Sequence, residues 1–452
     1  MLLQKPAFLL FYHARAAEAS FGEWLGVLWH GLSLDCTVAG YVTAFPVLVV
    51  LASFWIPLSQ RVWRIVLTVY FSLIALVTAA IFAVDLNLYG YWGFRLDGSV
   101  LIYLSDPGEA LASASWGEVL RQILIMLVYA GAMIWSYRWI LRLFRVEPVA
   151  LRGRVVPTVA ALLIGGLTFL AIRGGVTVAT ANVSKVYFSS NMFLNHAATN
   201  PVFSFLSSVG DNENYAEAYP FFEEERRKTL FEELRGNRPG ADAGTPRLLR
   251  SDRPNVVLIL LESFGRTIMD ETVNGEPVMP NMQRFKREGV WFENFFANSF
   301  RTDRGQVAVL CGFPAQTTMS IMKLPRKSAT LPSLARSLGR EGYRSVFMYG
   351  GDLNFTNQAS FMYSTGWEEL IWQKDMQLDA PTSKWGYADD VVVDLFGDEV
   401  EALGREEQPF LAGLLTLSSH EPFEVPFAKF DDKLLNAMAF SDAQIGRLID
   451  RL

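Results

Sequence analysis

Three short polar clusters in the second half of the chain contain residue types that could do chemistry. Glu262 follows the apolar run Val256–Leu261, RTDRG occupies Arg301–Gly305, and SSH occupies Ser418–His420. A threonine hydroxyl attacks phosphorus only after losing its proton, and a metal ion bound to its oxygen promotes that loss. Thr302 is therefore a candidate nucleophile, and the Glu262 carboxylate is a candidate ligand for the metal.

Each candidate also has a simpler interpretation. If a helix opens at Asp303 or Arg304, Thr302 is its amino cap, a position that threonine suits. Backbone N–H groups at such a helix start would also favour bound phosphate. Glu262 could likewise cap the helix that follows it. His420, the only histidine of the predicted α/β region, is either a surface loop residue or, in an anionic site, a donor to phosphate or an acid–base group.

Strands and helices alternate around these clusters. Apolar runs typical of strands occur in VVLILL, WFENFFAN, RSVFMYGG and QPFLAGLL. Helices are predicted between them, in MPNMQRFKREGV, which ends at Gly289, and in LPSLARSLGREGY. This alternation predicts a largely parallel sheet with helices on both faces. Because parallel strands end at one edge, the polar clusters would meet there, together with a fourth at Gly350–Phe355.

The first half of the chain has a different composition. Four apolar runs approach or exceed the length of about 20 residues that crosses a bilayer: Cys36–Ile56, Ile65–Val84, Gln122–Tyr137 and Val155–Ile172. Arginines cluster at Arg61–Arg64 and again at Arg138–Arg154, so the positive-inside rule places these turns in the cytoplasm. Residues 1–35 and everything after Arg173 would then lie outside.

These observations predict four regions: a tail at 1–35 that could lie in the membrane interface, a membrane domain of four spans at 36–173, a connector at 174–250 and an α/β domain at 251–452. The connector includes NRPGADAGTP, at 237–246, which has linker composition. The net charge is −6 and no segment is strongly basic, which argues against a nucleic-acid partner. Two cysteines imply no disulfide framework.

Several blocks, in order and behind membrane spans, resemble the lipoteichoic acid synthase family: PNVVLILLESFGRT, SFRTDRGQVAVLCGFPAQ, RSVFMYGGDLNFTN and LTLSSHEPF. Its members are phosphoglycerol transferases of the alkaline phosphatase and sulfatase superfamily. The resemblance implies an alkaline phosphatase-like domain that uses one divalent cation, usually Mn²⁺, with Mg²⁺ or Zn²⁺ as other candidates. It assigns Glu262 to the metal, Thr302 to both the metal and the covalent intermediate, and His420 to the substrate pocket.

The resemblance also implies partners and a location. The donor would be a phospholipid such as phosphatidylglycerol, and the acceptor an envelope glycan or lipid. The protein would be a multi-pass protein of the bacterial cytoplasmic membrane, with its catalytic domain on the periplasmic or extracellular side. A phosphoethanolamine transferase and a sulfatase-like hydrolase are the alternatives within the superfamily. CGFPA departs from the sulfatase motif, and Cys311 alone cannot form the disulfides that are typical of phosphoethanolamine transferases. An inactive membrane fragment or sensor is the alternative of another class.

Three departures from the family pattern qualify these expectations. The family completes its metal site with an Asp-His pair on a later strand, whereas this sequence ends at SDAQIGRLIDRL, and it usually has five spans. We therefore expect a sequence shortened at both ends and nearly inactive, and an active version when it is extended through that strand. Thr356 and Gln358 also stand where the best-known family members have a Trp and an Arg. Because the arginine that would bind the phosphate is absent there, Asp352, Asn354 or Asn357 would bind the head group instead.

Overall fold

The structure is a computed structural model that describes residues 1–104, 115–145, 153–210, 220–236, 249–316 and 319–452. The linker predicted at 237–246 and residues 146–152 of the arginine-rich loop lie outside the described residues. The helices of the amino-terminal half are α1 Gln4–Phe11, α2 His13–Ala16, α3 Phe21–Ser53, α4 Gln60–Trp92, α5 Trp116–Leu143 and α6 Val155–Arg173.

Four of these helices, α3 to α6, are long and apolar enough to cross a membrane. The first begins at Phe21 rather than at Cys36, because Ser20 and Glu23 form a capping box. With 33 residues, α3 is about 50 Å long, whereas the hydrocarbon core of a bilayer is about 30 Å thick. Residues 21–35 therefore continue the helix of the first span.

The membrane helices have two chemically different ends. At one end the Arg64 guanidinium donates to the Phe144 carbonyl across 3.2 Å, which joins the start of α4 to the end of α5. At the other end, just after α4, Asp97 forms an ion pair with Arg326 of the α/β domain across 3.2 Å. The arginine-rich turns and the α/β domain thus lie at opposite ends of the helices, as the charge distribution predicts.

The connector covers the end of the bundle nearer the α/β domain. Its elements are the 3₁₀ helix Val183–Val186, α7 Met192–Ala198, α8 Pro201–Ser208 and α9 Glu224–Gly236, and a further 3₁₀ helix, Gly98–Leu104, follows α4. The Asn200 side chain caps α8 by accepting from two backbone N–H groups. Phe8 of α1 is fully buried there, between Tyr89 at the end of α4 and Phe193 of α7.

The α/β domain contains the remaining elements. They are β1 Val256–Leu260, α10 Arg266–Met269, β2 Thr272–Val273, β3 Glu276–Pro277, α11 Pro280–Glu288, α12 Thr302–Cys311, α13 Pro325–Ser328, α14 Leu334–Arg340, β4 Arg344–Tyr349, α15 Gln358–Ser364, β5 Glu369–Trp372, α16 Asp389–Gly404, β6 Phe410–Leu415 and α17 Lys433–Arg451. Short 3₁₀ helices occur at Ile321–Lys323 and Phe355–Asn357. The main sheet has the order β1-β6-β4-β5, and all its pairs are parallel.

Helices cover both faces of this sheet. Ala412 and Leu414 of β6 pack in a core with α11, α16 and α17. Leu411 and Leu415 point to the opposite face, into a core with α12, α14 and α15. This alternation follows from the two-residue period of a strand. The prediction of a largely parallel sheet with helices on both faces is confirmed.

One predicted strand is wrong. WFENFFAN, at 291–298, forms no strand, and Phe295 and Phe296 are 77% and 82% exposed. An apolar run becomes a strand only when a neighbouring strand pairs with its backbone groups. Within the described residues this segment pairs with no strand of the sheet, although β1 is an edge strand.

Candidate active site

Thr302 and Glu262 meet at the carboxyl edge of the sheet. The Thr302 hydroxyl donates to Glu262 Oε2 across 2.8 Å, although the residues are 40 positions apart. Thr302 is the first residue of α12, one position earlier than the predicted helix start, and Arg301 occupies the cap position without a side-chain capping bond. The hydroxyl therefore bonds to Glu262 rather than to backbone N–H groups, which argues against the plain helix-cap interpretation.

Glu262 is positioned by two strands. It follows β1 closely, and its backbone N–H donates to the Thr416 hydroxyl across 2.8 Å. Its carbonyl accepts from the Ser419 hydroxyl at 2.6 Å. Thr416 and Ser419 follow β6, which pairs with β1 so that Leu260 faces Leu415. Sequence reasoning assigned no role to these two hydroxyl residues, because their role depends on strand order and register.

The residue after Glu262 has an unusual backbone conformation. Ser263 has a φ of 60°, in the left-handed region that residues other than glycine seldom adopt. Its hydroxyl donates to Glu262 Oε1 across 3.1 Å. The carboxylate thus accepts one hydrogen bond on each oxygen, from Ser263 and from Thr302, and its orientation is fixed from both sides.

A buried carboxylate supports the loop that carries Ser419. Asp389, at the start of α16, accepts from the backbone N–H groups of Leu417 and Ser418 at 2.7 and 3.2 Å and from the Ser441 hydroxyl at 2.6 Å. Burial raises the pKa of Asp389, and these hydrogen bonds act in the opposite direction. The loop after β6 is therefore joined to both α16 and α17.

The start of α12 combines a helix amino terminus with an arginine. Arg301 is exposed, and its Nε lies 3.4 Å from Asp303 Oδ1. Asp303 is buried, and its Oδ2 has no hydrogen-bond partner among the described groups. Backbone N–H groups of the first helical turn favour an anion. Arg301 also lines a cavity of about 500 Å³, whereas Thr302 and Glu262 lie beside that cavity rather than in its wall.

Glu262 and Thr302 fit part of a site for a hard divalent cation. Carboxylate and hydroxyl oxygens are donors that such ions accept, and 2.8 Å between the two oxygens lets both contact one ion. In the described ranges, no group of three or more His, Cys, Asp and Glu side chains could hold a metal. Because Mg²⁺ or Mn²⁺ takes about six ligands, water, substrate oxygens or further protein groups would complete the shell.

The three predicted head-group residues lie in different surroundings. Asn357 lines the large cavity, donates to the Lys323 carbonyl across 3.3 Å and has a buried Oδ1 without a partner in the described structure. Asp352 lines a second cavity of about 280 Å³. Asn354 donates to Asp352 Oδ1 at 2.9 Å, and its carbonyl accepts from Asn182 of the connector. Of the three, Asn357 shares a cavity with Arg301.

The two positions that depart from the family pattern have structural roles. Gln358 is buried and accepts from Gln306 of α12 across 3.1 Å, so it joins α15 to the helix that starts at Thr302. Thr356 has a φ of 54° and lines the large cavity. Arg301 lines the same cavity, so a guanidinium is present there although position 358 carries none. Sequence reasoning included Arg301 in a cluster but gave it no role.

His420 lies beside an aromatic residue. Its ring centroid is 4.3 Å from that of Trp385, and its Nδ1 is 2.8 Å from the Glu421 carbonyl. Trp385 also lines the cavity that contains Asp352. Among the described contacts, His420 makes no hydrogen bond to Thr302 or Glu262. A substrate that His420 binds, as predicted, would therefore lie next to Trp385.

Comparison with known proteins identifies relatives of the α/β domain. Residues 254–452 match the family model described as Sulfatase. Phosphoglycerol transferase I of Xanthomonas campestris pv. campestris is 34% identical over 225 residues, which cover 44% of this chain and 31% of that protein. Lipoteichoic acid synthase 1 of Bacillus subtilis is 30% identical over 191 residues, which cover 38% and 27%. The matched region thus spans about a third of these relatives' length.

A solved structure is also similar. A protein in the alkaline phosphatase superfamily from Vibrio parahaemolyticus aligns with 51% of this chain and 59% of its own chain, with 26% identity and a TM-score of 0.45.

Proposed function

We propose a function from the premise that residues 254–452 of this chain match the family model described as Sulfatase. The proposed function is transfer of a phosphoglycerol group from a membrane phospholipid to an envelope acceptor, through a phosphothreonine at Thr302. The observation that carries this proposal is the 2.8 Å hydrogen bond from the Thr302 hydroxyl to Glu262. The names of the relatives, phosphoglycerol transferase and lipoteichoic acid synthase, support the choice of group.

The reaction would consist of two displacements. The Thr302 oxygen attacks the lipid phosphorus while its proton leaves along the hydrogen bond toward Glu262. A bond from oxygen to phosphorus forms, the bond to the diacylglycerol oxygen breaks, and that oxygen takes up a proton. An acceptor hydroxyl then loses its proton, attacks the same phosphorus and releases the Thr302 oxygen, which regains a proton. A covalent intermediate divides one difficult transfer into two easier ones.

Residues of this chain would perform distinct tasks in these steps. Glu262 and Thr302 would hold a divalent cation, with Mn²⁺ as the first candidate, which when bound lowers the pKa of a coordinated hydroxyl and offsets phosphate charge. Ser263, Thr416 and Ser419 orient Glu262. The first turn of α12 and Arg301 favour the anionic phosphate. His420 and Asp352 would contact the glycerol or the acceptor.

The location follows from the same proposal. Four helices that can cross a membrane lie next to the α/β domain, and the arginine-rich turns lie at their far end. The active site would therefore face outward from the cytoplasmic membrane, next to the head groups of its donor lipid. The acceptor would be an envelope glycan or lipid that reaches this surface.

A covalent adduct tests the nucleophile. Incubation with phosphatidylglycerol and Mn²⁺, followed by peptide mass spectrometry, should detect phosphoglycerol on Thr302. Thr302→Ala should abolish the adduct and the release of diacylglycerol, whereas Thr302→Ser should retain part of both because it keeps the hydroxyl. Each variant is made in the 452-residue chain and assayed under the same conditions.

Two results would contradict the proposal. An adduct on another residue would assign the nucleophile elsewhere. Absence of any adduct would favour the non-catalytic alternative. Phosphatidylethanolamine is tested in parallel to distinguish the phosphoethanolamine transferase alternative. Such an enzyme would form a phosphoethanolamine adduct from that lipid.

Metal binding is measured without turnover. Titration of Mn²⁺ into the protein by calorimetry should give an affinity that falls more than about tenfold in Glu262→Gln, because the amide keeps the shape but loses the charge. Glu271→Gln, an exposed glutamate of the same domain, is the matched control and should leave the affinity unchanged. Equal affinities in both variants would remove Glu262 from the metal site.

A further inference from the structure

A cavity of about 500 Å³ lies where the membrane domain, the connector and the α/β domain meet, and its volume is in the range of small-ligand pockets. Its wall carries five cations and a single carboxylate: Arg95, Arg301, Lys323, Arg326, Lys327 and Asp97. Asp97 is already paired with Arg326 across 3.2 Å. In the described part of the chain Lys323 and Lys327 pair with no carboxylate. The cavity therefore has an excess of positive charge.

Two buried polar side chains in this wall have atoms without partners. Arg95 is 5% exposed; its Nη2 pairs with Asp85 across 2.9 Å, while Nε and Nη1 have no hydrogen-bond partner among the described groups. His196 is 6% exposed, and its Nδ1 lies 3.1 Å from the Tyr89 hydroxyl, while its Nε2 is likewise unpartnered. Unpartnered buried polar atoms are costly.

An apolar groove of about 410 Å³ meets this cavity. It runs between α3 and α4, and α8 covers one end; its wall includes Val38, Tyr41, Ile74, Val77 and Leu206. Phe203 and Ser207 of α8 line both the groove and the cationic cavity. The Tyr70 hydroxyl crosses from α4 to the Val42 carbonyl of α3 at 2.8 Å. An apolar groove between membrane helices that borders a cationic cavity matches the two chemical parts of a phospholipid.

We propose that one anionic glycerophospholipid binds across both spaces, with an acyl chain in the groove between α3 and α4 and its phosphate head group in the cationic cavity at Arg301. Arg301 lines the cavity and directly precedes the proposed nucleophile Thr302 in the sequence. This proposal rests on the proposed function only for what happens to the lipid after it has bound. Its existence depends on the charge of the cavity, the apolar lining of the groove and the two α8 residues that line both spaces. It makes α8 the element that a lipid passes on its way to Thr302.

The test measures binding, not turnover, in the full chain carrying Thr302→Ala in detergent micelles. The probes are a fluorescent phosphatidylglycerol, the same label on zwitterionic phosphatidylcholine, and soluble glycerol phosphate as competitor. We expect phosphatidylglycerol to bind more tightly than phosphatidylcholine. Lys323→Gln with Lys327→Gln should weaken both phosphatidylglycerol and glycerol phosphate, by about fivefold for each charge removed. Lys433→Gln, an exposed lysine outside the cavity, should change neither.

A block at the junction distinguishes a lipid site from a site for free phosphate. Ser207 is exposed, so Ser207→Trp should narrow the junction without disturbing the core. It should weaken phosphatidylglycerol by at least about tenfold and leave glycerol phosphate within about twofold. Ser136→Trp on α5, outside both spaces and also exposed, is the matched control.

The outcomes separate this inference from the proposed function. Equal binding of the two lipids, or unchanged phosphatidylglycerol binding in Ser207→Trp, would overturn the lipid site. A loss of glycerol phosphate equal to that of the lipid in Ser207→Trp would mean that only a phosphate site is present and would also overturn it. The expected binding pattern, together with no Thr302 adduct in the unsubstituted chain, would leave the lipid site in place while the proposed transfer fails.

Discussion

The backbone N–H of Glu262 donates to the Thr416 hydroxyl, which in turn lies next to the Leu260 carbonyl. Thr416 is buried and directly follows β6. The proposed metal ligand is therefore fixed through its backbone by a side chain from the neighbouring strand. Such supporting contacts typically alter metal affinity or activity by 10- to 100-fold when removed, as an order of magnitude.

Thr416→Val tests this support because it keeps the shape and removes the acceptor. We expect about a tenfold or greater loss of Mn²⁺ affinity and of adduct formation, with a stability loss of only about 1–3 kcal/mol for the unsatisfied N–H. Thr416→Ser should restore both, since it returns the hydroxyl. Calorimetry and thermal unfolding measure the two effects. If affinity falls only in proportion to the folded fraction, Thr416 is merely structural.

The residues with distinctive chemistry were the ones that the sequence predicted. Glu262 follows β1 and Thr302 begins α12, and their side-chain types limit what they can do. Thr416 and Ser419 act on the backbone of Glu262, and Asp389 acts on the backbone after β6. Their roles require knowing that β1 lies beside β6, although more than 150 residues separate the paired positions, such as Leu260 and Leu415.

At the scale of elements, the loop after β6 is joined to two helices through Asp389. The carboxylate is 2% exposed and accepts three hydrogen bonds from that loop and from α17. Burial raises its pKa above the unfolded value of about 3.9. The folded state thus binds the proton more tightly than the unfolded state, and the stability from this group is greatest at low pH. That stability is lost as pH rises through the folded pKa.

Asp389→Asn removes this titration. We expect the variant to be less stable than the parent by about 1–3 kcal/mol at pH 4, because its NH₂ faces two donors. The difference should narrow as pH rises toward 7, because only the parent then loses stability. Thermal unfolding in detergent between these pH values measures it, with the exposed Asp379→Asn as control. A difference that widens with pH would show that the hydrogen bonds outweigh burial.

Local pattern predicted most elements, and its failure has a physical cause. The strand β4 and the helix α11, which ends before Gly289, lie where their apolar periods indicate. WFENFFAN has the same local signal as a strand, but pairing is a property of two segments. Gly413 is a second residue whose role depends on segments that are distant in the sequence. A Cβ there would lie 2.7 and 2.8 Å from the rings of Phe347 and Trp367, so glycine in the central strand makes room for a tryptophan 46 positions away.

At the scale of the whole molecule, the amino-terminal segment fastens the connector to the membrane helices. Lys5 of α1 pairs with Asp35 of α3 across 2.6 Å, and Asp35 accepts from Asn200, the cap of α8, at 2.7 Å. Both charged side chains are almost fully buried. Charge distribution in the sequence predicted which end of the bundle faces outward. It could not predict this pair, because Lys5 and Asp35 meet only after α1 folds against α3.

This pair supplies the last prediction. Asp35→Ala should cost about 3–5 kcal/mol, because it leaves the Lys5 ammonium buried without a partner. The double variant Lys5→Met with Asp35→Leu should recover most of that loss, since it removes both charges and refills the volume. Thermal unfolding in detergent measures stability, and proteolysis near α8 reports whether its cap has loosened. If the double variant is as unstable as Asp35→Ala, the hydrogen bond from Asn200 to Asp35, rather than the buried charge, is what holds α8 on the bundle.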